Sequence, residues 1–385
     1  MIIENVDDAM KIVHFTLSFS PPSETFIYEY ICEMQRQGIQ TDVLTLWQRN
    51  SDERPFQELF VVPPPPVWHP LRIRKMIEVI FHLKDPLEED FSFYRPEIHK
   101  IVARLRPDAI HAHFGPAGVL IAPIAKIMHI PLVVTFQGYD ITQLLRMPLW
   151  RARYRSLFQT GSHFFAVSRA LYERVIEAGA AASLVSILHN GIDLKKFEFS
   201  DPLNRFDGKN VQLLYVGRFV PKEDPLRLIR AFLLCKTKLS EDKRITLTMI
   251  GDGPLRSDAQ DLLRQLNLEG EVHILGEIPH DQIPLWLRRS HLYTQHCVTA
   301  EDGDQEGLPV AITEAAATGL PIISTRHSGI PEADVEGMAE KILELCHKPA
   351  LWSQFGKAGR QHVGKNFSLQ EQVQKSISIF GKILS

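Results

Sequence analysis

The chain has 385 residues, of which 44% are apolar and 23% are charged. This length suggests about two or three domains, and the apolar fraction is enough to bury two sizeable cores. The 43 lysines and arginines against 46 aspartates and glutamates give a net charge of −3, which excludes a nucleic-acid-binding protein of the strongly basic kind.

The cysteines and the N-terminal residues favour a cytoplasmic protein. Cys32, Cys235, Cys297 and Cys346 form no CxxC pair and have no histidine at zinc-ligand spacing, which favours free thiols in a reducing compartment. The first residues, MIIENVDDAMKIV, carry acids where a secretion signal carries Lys or Arg. The longest apolar stretch, AGVLIAPIA, is about half as long as a membrane span, so we expect a soluble chain.

Short apolar runs alternate with helical patterns along the whole chain, which is typical of parallel sheets built from βαβ units. The first half begins with a predicted strand at 11–17 and a predicted helix at 25–37, for which Ser23 is the expected N-cap. Further strands are predicted in this half at 41–46, 109–112, 132–135, 163–167 and 184–188. A second set of strands is predicted at 211–216, 245–250, 272–275, 292–295 and 320–324.

The chain divides most naturally within residues 193–210, where its composition turns polar. We therefore predict an α/β protein with two doubly wound, Rossmann-like domains, residues 1–200 and 201–365, followed by a helical segment at 366–385. Ligands of such sheets bind outside the carboxyl ends of the strands, so we expect the two domains to face each other across a ligand-binding cleft.

The segment from Trp68 to Lys84, WHPLRIRKMIEVIFHLK, combines basic and apolar residues in a helical pattern after a run of prolines. Two interpretations stay open: a helix of the domain with a solvated basic face, or a surface helix that lies on an anionic membrane. The second interpretation would place the protein peripherally at the inner face of the membrane.

The stretch EDGDQEGLPVAITEAAATGLPIISTRHSGIPE carries most of the predicted chemistry. Pro309 suits the first position of a helix and Gly319 the residue just past its end, which predicts a helix over about 309–318. Gly307 and Leu308 would then lie at the start of this helix, where unpaired backbone amides favour an anion.

Two carboxylates accompany this predicted anion site, Glu306 in the preceding loop and Glu314 inside the helix. A carboxylate repels an anion, but it accepts several hydrogen bonds from sugar hydroxyls. The stretch therefore predicts a ligand with both phosphate and polyol parts, such as a nucleotide sugar.

This stretch also resembles the signature of a known family. The segment from Glu306 to Glu314 is similar to the E-x7-E signature of glycosyltransferase family 4, whose members are retaining enzymes of the GT-B fold. Supporting matches, in the order of the family, are VSRALYERV, ILHNGIDLKKF, VGRF, GDGPLR and ILGEIP. The N-terminal SETFI, HAHFG and TFQGYD segments further resemble the bacterial colanic-acid and exopolysaccharide branch.

The resemblance implies an activity. It implies transfer of a sugar from a nucleotide-sugar donor, UDP- or GDP-linked, to a hydroxyl of a saccharide or lipid-linked acceptor in polysaccharide or glycan biosynthesis. The reaction would retain configuration through an oxocarbenium-like state, without a metal or a cofactor. The donor would bind the second domain and the acceptor the first, and the last helix would cross back onto the first domain.

The donor-side residues follow from the motifs of the resemblance. Arg218 matches the arginine that binds the donor diphosphate, and a guanidinium can hold phosphate oxygens bidentately. Glu306 matches the carboxylate that contacts the donor sugar, and Glu314 the one that contacts the ribose. The predicted catalytic residues are Arg218, Lys222 and Glu306. The other predicted donor-binding residues are Gly217, Ile274, Glu277, Gly307, Leu308, Pro309 and Glu314.

The acceptor-side residues come from the N-terminal motifs: Ser23, Glu24, Thr25, His113, Gln137 and Asp140. His111 and His113 leave three interpretations open, since they can line the acceptor site, pack in the core or bind a metal. A metal is disfavoured because the sequence offers the pair no third ligand.

Three departures from the family pattern are visible. Gln137 stands where this branch has a histidine, and glutamine carries no proton charge near neutral pH. Glu223 and Asp224 stand where the family has Lys and Gly, so we expect either that Lys222 takes over through a shifted loop or that donor binding is weakened. After Ala333 the chain lacks the loop and short strand that the family usually inserts.

Two other functions remain as alternatives. One is a catalytically weakened, nucleotide-sugar-binding partner subunit, which Gln137 and Glu223 motivate. The other is a sugar-nucleotide epimerase of the same architecture. A dinucleotide-binding interpretation of GDGPLR is disfavoured, because Arg256 replaces the third glycine of that fingerprint.

Overall fold

The computed structural model describes residues 10–64, 66, 68, 70, 72–73, 91–325 and 335–385. The chain divides into two compact units, which we call unit 1 (Met1–His189 with Gln370–Ser385) and unit 2 (Asn190–Leu369). Most of the segment 68–84 lies outside the described residues, and so do residues 326–334, which include the place where the chain lacks the family's inserted loop. What the sequence predicts for these residues stays a prediction.

Unit 1 is built on a seven-stranded sheet in which all neighbouring strands are parallel. Its strands are β1 (Lys11–Phe19), β2 (Gln40–Gln48), β3 (Leu59–Val61), β4 (Ala109–His113), β5 (Leu132–Phe136), β6 (His163–Ala166) and β7 (Val185–Ile187). Their order across the sheet is β3-β2-β1-β4-β5-β6-β7. The strand β5, LVVTF, is buried at every position, which explains its continuous apolar sequence without alternation.

Helices cover both faces of this sheet. They are α1 (Thr25–Arg36), α2 (Arg95–Leu105), α3 (Gly115–Met128), α4 (Pro148–Thr160), α5 (Arg169–Glu177) and, at the end of the chain, α12 (Leu369–Leu384). On one face, Tyr30 of α1 and Phe380 of α12 pack against His111 of β4. On the other face, Tyr154 of α4 packs edge-on against Phe136 of β5. The C-terminal helix is therefore part of the core of unit 1 from Gln370 onwards.

Unit 2 has a five-stranded parallel sheet with the order β10-β9-β8-β11-β12. Its strands are β8 (Asn210–Val216), β9 (Arg244–Ile250), β10 (Val272–Gly276), β11 (Leu292–Gln295) and β12 (Ile322–Ser324). Its helices are α6 (Pro225–Lys238), α7 (Arg256–Leu266), α8 (Ile283–Arg289), α9 (Val310–Thr318), α10 (Val335–His347) and α11 (Ala350–Asn366).

Successive residues of β8 join two different cores in unit 2. Leu213 and Tyr215 pack with Phe232 of α6 and with α7 and α10, whereas Leu214 packs with α8, α9 and α11 on the opposite face. Because side chains alternate along a strand, both faces of the sheet are covered by helices. The predicted class, two doubly wound parallel α/β domains, is confirmed.

The strand orders place one topological switch point in each unit. In unit 1, β2 and β3 are added on one side of β1, and β4 then pairs with β1 on its other side. In unit 2, β9 and β10 are added on one side of β8, and β11 pairs with β8 on its other side. Loops that leave adjacent strands in opposite directions at such a point leave a crevice at the carboxyl edge. These two edges are therefore where functional residues are expected.

Several local predictions need correction. Ser23 is not an N-cap: it lies in a 3-10 turn, Pro22–Glu24, and α1 begins without a side-chain cap at Glu24. Pro309 is the N-cap of α9 and not its first residue, although Gly319 ends the helix as predicted. The edge strand β3 was not predicted, because three residues give too short a pattern.

No helix within the described parts of the chain is both long and apolar enough to span a membrane.

Candidate active site

The loop after β8 in unit 2 carries a buried carboxylate directly beneath an exposed arginine. Glu223 is only 4% exposed, and its Oε2 accepts a hydrogen bond from the Arg218 backbone amide at 2.9 Å. Its Oε1 accepts from Nε of the same arginine at 3.1 Å. Gln295 of β11 donates to Oε2 at 3.2 Å, and the Tyr215 hydroxyl lies 3.3 Å from it. Glu223 therefore fixes both the backbone and the side chain of Arg218.

This position shows how the loop accommodates a carboxylate where the family has lysine. Asp224 has a φ of +33°, in the left-handed region that glycine favours, and its carboxylate caps α6 by accepting from the Arg227 amide. Glu223 then turns inward, where it accepts hydrogen bonds from Arg218 and Gln295, so its side chain lies below the arginine.

Gly217 is the residue that allows this close approach. A Cβ atom at Gly217 would lie 2.2 Å from Oε2 of Glu223 and 2.8 Å from the Tyr215 hydroxyl. The neighbouring turn of the GDGPLR motif presses on the same loop, since a Cβ at Gly251 would lie 1.8 Å from the Gly217 carbonyl oxygen. The glycines of this motif thus serve the packing of the Arg218 loop.

Glu306 lies between the two cations of this loop. Its Oε2 is 3.3 Å from a terminal guanidinium nitrogen of Arg218 and 3.3 Å from Nζ of Lys222. Lys222 is 5% exposed, and its Nζ also lies 3.0 Å from a carboxylate oxygen of Asp304. Lys222 therefore belongs to the same cluster. Arg218 follows β8 and Glu306 follows β11, so the cluster lies at the switch point of unit 2.

The cluster holds two cations and three carboxylates in a partly dry environment. Burial raises the pKa of Glu223 to about 7, with the nearby charge of Glu306 acting in the same direction. Burial also raises the pKa of Asp304. Both cations are ion-paired with carboxylates, and the guanidinium of Arg218 is also accessible to a ligand, since its side chain is 45% exposed.

The start of α9 follows Glu306 directly. Pro309 is the N-cap of this helix and its side chain makes no capping hydrogen bond, so Gly307 and Leu308 lead to a helix start of the kind that attracts anions. Within α9, Glu314 is 4% exposed and its Oε1 accepts a hydrogen bond from Nε2 of His280 at 2.7 Å. His280 and Lys196, which contacts it, were not predicted as site residues.

Two of the predicted donor-binding residues, Ile274 and Glu277, lie on or just after β10. Ile274 is half-buried within the strand, and Glu277 is exposed just after it. The Gly276 carbonyl accepts from the Gly251 amide at 2.8 Å, which ties this strand end to the Arg218 loop. The predicted donor-side residues therefore all lie at the carboxyl edge of unit 2.

The predicted acceptor-side residues lie at the carboxyl edge of unit 1, after three adjacent strands. Ser23, Glu24 and Thr25 follow β1, His113 ends β4, and Gln137 and Asp140 follow β5. Ser23 is exposed, Gln137 is half-buried, and Thr25 and His113 are buried.

Asp140 is fully buried and acts on the backbone. Its carboxylate accepts hydrogen bonds from the amides of Gly115, Gln137 and Gly138 at 2.9, 3.1 and 2.8 Å. Burial raises its pKa to about 6, against the effect of these hydrogen bonds. Asp140 therefore shapes the loop that presents Gln137.

A third histidine joins the HAHFG pair in unit 1. Nδ1 of His14 on β1 lies 3.1 Å from Nε2 of His113, and the three potential ligand atoms of His14, His111 and His113 lie within 4.8 Å of one another. The expectation that the pair lacks a third ligand is wrong, because the register of β1 with β4 places His14 opposite His111.

The hydrogen bonds of these imidazoles can be satisfied without a metal. If His14 donates through Nδ1 to His113, and His111 donates through Nε2 to Thr135 Oγ1 at 2.7 Å, the unpartnered nitrogens are His14 Nε2 and His111 Nδ1. Both are then lone pairs and not buried N–H groups, which is the less costly arrangement. Burial lowers the pKa of all three imidazoles, that of His113 to about 3.

Two Rossmann-like parallel sheets, one with cations, carboxylates and a helix start at its switch point, are the architecture of the GT-B class of glycosyltransferases. The chain belongs to glycosyltransferase family 4. Residues 23–196 match the model described as Glycosyltransferase Family 4, and residues 196–362 match the model described as Glycosyl transferases group 1.

Curated relatives are glycosyltransferases as well. The chain is 25% identical to the amylovoran biosynthesis glycosyltransferase AmsK of Erwinia amylovora over 84% of each chain. It is 28% identical to the putative colanic acid biosynthesis glycosyltransferase WcaL of Escherichia coli, over 60% of this chain and 57% of that protein. The predicted exopolysaccharide branch is thereby confirmed, and a non-catalytic partner subunit or an epimerase is not favoured.

Solved structures show the same fold over nearly the whole chain. HepE of Anabaena, in complex with UDP and glucose, has a TM-score of 0.73 at 18% identity and covers 97% of this chain and 100% of its own. Sucrose-phosphate synthase from Thermosynechococcus elongatus has a TM-score of 0.74 at 14% identity, covering 97% and 99%. At these identities the likeness supports the fold.

Proposed function

We propose that this glycosyltransferase transfers a sugar from a nucleotide-sugar donor to a hydroxyl of a saccharide or lipid-linked acceptor, with retention of configuration, in the biosynthesis of a polysaccharide. The observation that carries the proposal is the convergence of Arg218, Lys222 and Glu306 beside the start of α9 at the switch point of unit 2. A dianionic diphosphate fits two cations and a helix start, and a carboxylate fits sugar hydroxyls.

The donor diphosphate would take over the cations that the carboxylates hold in the free protein. Arg218 would bind phosphate oxygens through the part of its guanidinium that Glu223 leaves open, since Glu223 takes Nε. Glu306, released from Arg218 and Lys222, would accept hydrogen bonds from the sugar. Gly307, Leu308 and Pro309 would bring the helix amides to the phosphates, and Glu314 would meet the ribose.

Chemistry would proceed by departure of the nucleoside diphosphate. The bond between C1 of the sugar and the phosphate oxygen breaks, and a bond between C1 and the acceptor oxygen forms on the same face. The acceptor proton passes to an oxygen of the leaving phosphate. Arg218, Lys222 and the helix amides stabilise the negative charge that develops there, so the mechanism needs no metal.

The base of the donor is proposed as uracil or guanine. HepE binds UDP and glucose with the same fold, which supports a UDP-sugar, and Ile274 and Glu277 would line the base. The acceptor is assigned to unit 1, where Ser23 is exposed and Glu24 and Gln137 are half-buried at the carboxyl edge.

The location of the protein is proposed as cytoplasmic. The pattern of residues 68–84 leaves two outcomes, contact with the inner face of an anionic membrane or a solvated helix of the domain. Flotation with liposomes that contain or lack anionic lipid decides between them.

A donor screen tests the proposal first. UDP-, GDP-, ADP- and TDP-sugars are compared by thermal shift, because a ligand at 100 times its Kd stabilises the folded state by about 2.7 kcal/mol. NMR of the product then compares its anomeric configuration with that of the donor, and EDTA-treated enzyme is assayed for metal dependence. Inversion of configuration, or loss of activity with EDTA that Mg²⁺ restores, would contradict the mechanism.

The substitutions Arg218→Ala and Glu306→Ala test the roles proposed for these two residues in sugar transfer. Each should lower the transfer rate by about 10²–10³-fold, since each removes a group aimed at developing charge or at the sugar. Arg264→Ala is a matched control, because Arg264 is an exposed, ion-paired arginine on α7 of the same unit. Wild-type transfer rates in both site variants would refute the assignment.

A further inference from the structure

Three side chains from separate segments of unit 2 form a chain of hydrogen bonds that ends at Glu314. Nζ of Lys196, from the loop after β7, lies 2.7 Å from Nδ1 of His280, which follows β10. Nε2 of His280 lies 2.7 Å from Oε1 of Glu314 in the second turn of α9. Neither Lys196 nor His280 belongs to a site assigned above.

The chemistry of the three groups determines which atom donates each of these two hydrogen bonds. An ammonium group only donates hydrogen bonds, so Nδ1 of His280 must accept from Lys196. The imidazole proton is then on Nε2, which donates to Oε1 of Glu314. Lys196 thus selects the tautomer of His280 that can hold the carboxylate.

The carboxylate is held at one oxygen only. The Glu314 side chain is 5% exposed and that of His280 16%, so the contact is largely shielded from water. Within the described residues, no second hydrogen bond is made to the Glu314 carboxylate, and Oε2 is not among the fully buried unpartnered atoms. One oxygen is therefore anchored while the other can accept a hydrogen bond from a ligand.

We propose that His280, with its tautomer set by Lys196, is a positioning residue that orients the Glu314 carboxylate so that Oε2 accepts a ribose hydroxyl of the donor. This inference rests on the proposed function, because it takes a nucleotide as the ligand of unit 2. An orienting hydrogen bond to the charged oxygen removes the freedom of the carboxylate to turn away, so the ribose contact forms without further ordering.

Nucleotide affinity in two His280 variants tests the inference. In His280→Gln the amide nitrogen can replace Nε2 as donor, whereas His280→Leu removes the donor. Calorimetry with UDP or GDP, whichever binds the wild type more tightly, should show Kd raised about 10-fold or more by His280→Leu and within threefold of wild type for His280→Gln. His273→Leu is the control, since His273 is exposed on β10 of the same unit.

Ribose selectivity separates positioning from a merely structural role. The wild type should bind the 2′-deoxy or the 3′-deoxy nucleotide more weakly than the parent nucleotide, and His280→Leu should lose most of that difference. In a double-mutant cycle, His280→Leu should have little effect in a Glu314→Gln background, because it acts through the carboxylate. If His280→Leu kept the full preference for the parent nucleotide over its deoxy forms, the inference would be wrong. Additive effects of His280→Leu and Glu314→Gln on nucleotide affinity would overturn it as well.

The tautomer is tested directly by long-range ¹H–¹⁵N spectra of labelled protein, which should show the His280 proton on Nε2. In Lys196→Met the Nδ1 partner is lost, and the preference for that tautomer should fall. A proton on Nδ1 in the wild type would overturn the role of Lys196. Failure of the wild type to bind either nucleotide would instead refute the proposed function, which distinguishes the two failures.

Discussion

The two switch points differ in charge although the sheets around them follow the same strand order. In unit 2, two cations and three carboxylates lie at the carboxyl edge, with Arg218 partly exposed. In unit 1, three imidazoles with lowered pKa values lie buried behind the corresponding edge, and the carboxylate of Asp140 is taken by backbone amides. The two units thus differ in the side chains that surround their switch points, a cluster of cations and carboxylates in unit 2 and buried imidazoles in unit 1.

This difference matches the chemistry proposed for each unit. A diphosphate must give up much of its hydration and needs compensating positive charge, which unit 2 provides. A sugar acceptor presents mainly hydroxyls, which need hydrogen-bonding partners more than compensating positive charge. The comparison therefore predicts different responses of the two units to substitution and to pH.

Apart from direct replacement of Arg218 or Glu306, the largest effect should come from disturbing the loop that holds Arg218. Gly217→Ala would place a Cβ 2.2 Å from the Glu223 carboxylate, which must move and take the guanidinium with it. Donor-dependent transfer should fall by about 10²-fold, the cost of misplacing one group that stabilises developing charge. Steady-state transfer assays with a UDP-sugar measure this.

Gly270→Ala provides the control for that substitution. A Cβ at Gly270 meets no atom within 4 Å, and its φ is not in the left-handed region. The Gly270→Ala variant should therefore keep the transfer rate of the wild type. Equal losses of transfer rate in both variants would show that the close packing at Gly217 does not cause the loss.

The next largest effect should be a loss of folding stability at acid pH, caused mainly by the buried imidazoles of unit 1. Their folded pKa values lie below the unfolded value of 6.5, so the unfolded chain binds more protons and stability falls as pH drops below 6.5. At pH 5.5 each fully buried imidazole should lower the free energy of unfolding by about 1.4 kcal/mol. Urea titrations at pH 7.5 and 5.5 measure the loss.

His14→Leu sharpens this prediction, since it removes one imidazole but keeps an apolar side chain in the core. The variant should lose about 1.4 kcal/mol less than the wild type between the two pH values. Its stability at pH 7.5 reports the packing cost separately. An unchanged pH dependence would mean that His14 is protonated in the folded protein, which contradicts its neutral hydrogen bond to His113.

Local sequence patterns predicted most of the fold and the location of the site. Buried parallel strands are continuous apolar runs, and glycine and proline mark the ends of α9, so the alternation of elements was readable. The residues after β8 and β11 were recognised from motifs. Their convergence then follows from strand order, because parallel neighbours end at the same edge.

Contacts between distant segments were not readable in the same way. His14 joins His111 only through the register of β1 with β4, and His280 meets Glu314 across two elements of unit 2. Glu223 looked like a repulsive charge, because its burial beneath Arg218 depends on how the loop turns. No periodicity encodes such pairings, so they required the three-dimensional structure.

The smallest effect should be the pH dependence of donor affinity in unit 2. Burial raises the pKa of Glu223 to about 7, so this carboxylate becomes more negative as pH rises from 6 to 8. Added negative charge beside Arg218 and Lys222 competes with the diphosphate, and the Kd of a UDP-sugar should rise several-fold between pH 6 and 8. A nucleotide sugar is the right probe because its diphosphate does not titrate in this range.

Glu223→Gln identifies the group responsible for that trend. Glutamine keeps an acceptor for the Arg218 backbone amide but carries no charge, so Kd should vary less with pH than in the wild type. At pH 8 the variant should bind the UDP-sugar at least as tightly as the wild type. A wild-type affinity that rises with pH would contradict this account, since the Glu223 carboxylate, which faces Arg218, Lys222 and Glu306, would then not compete with the diphosphate.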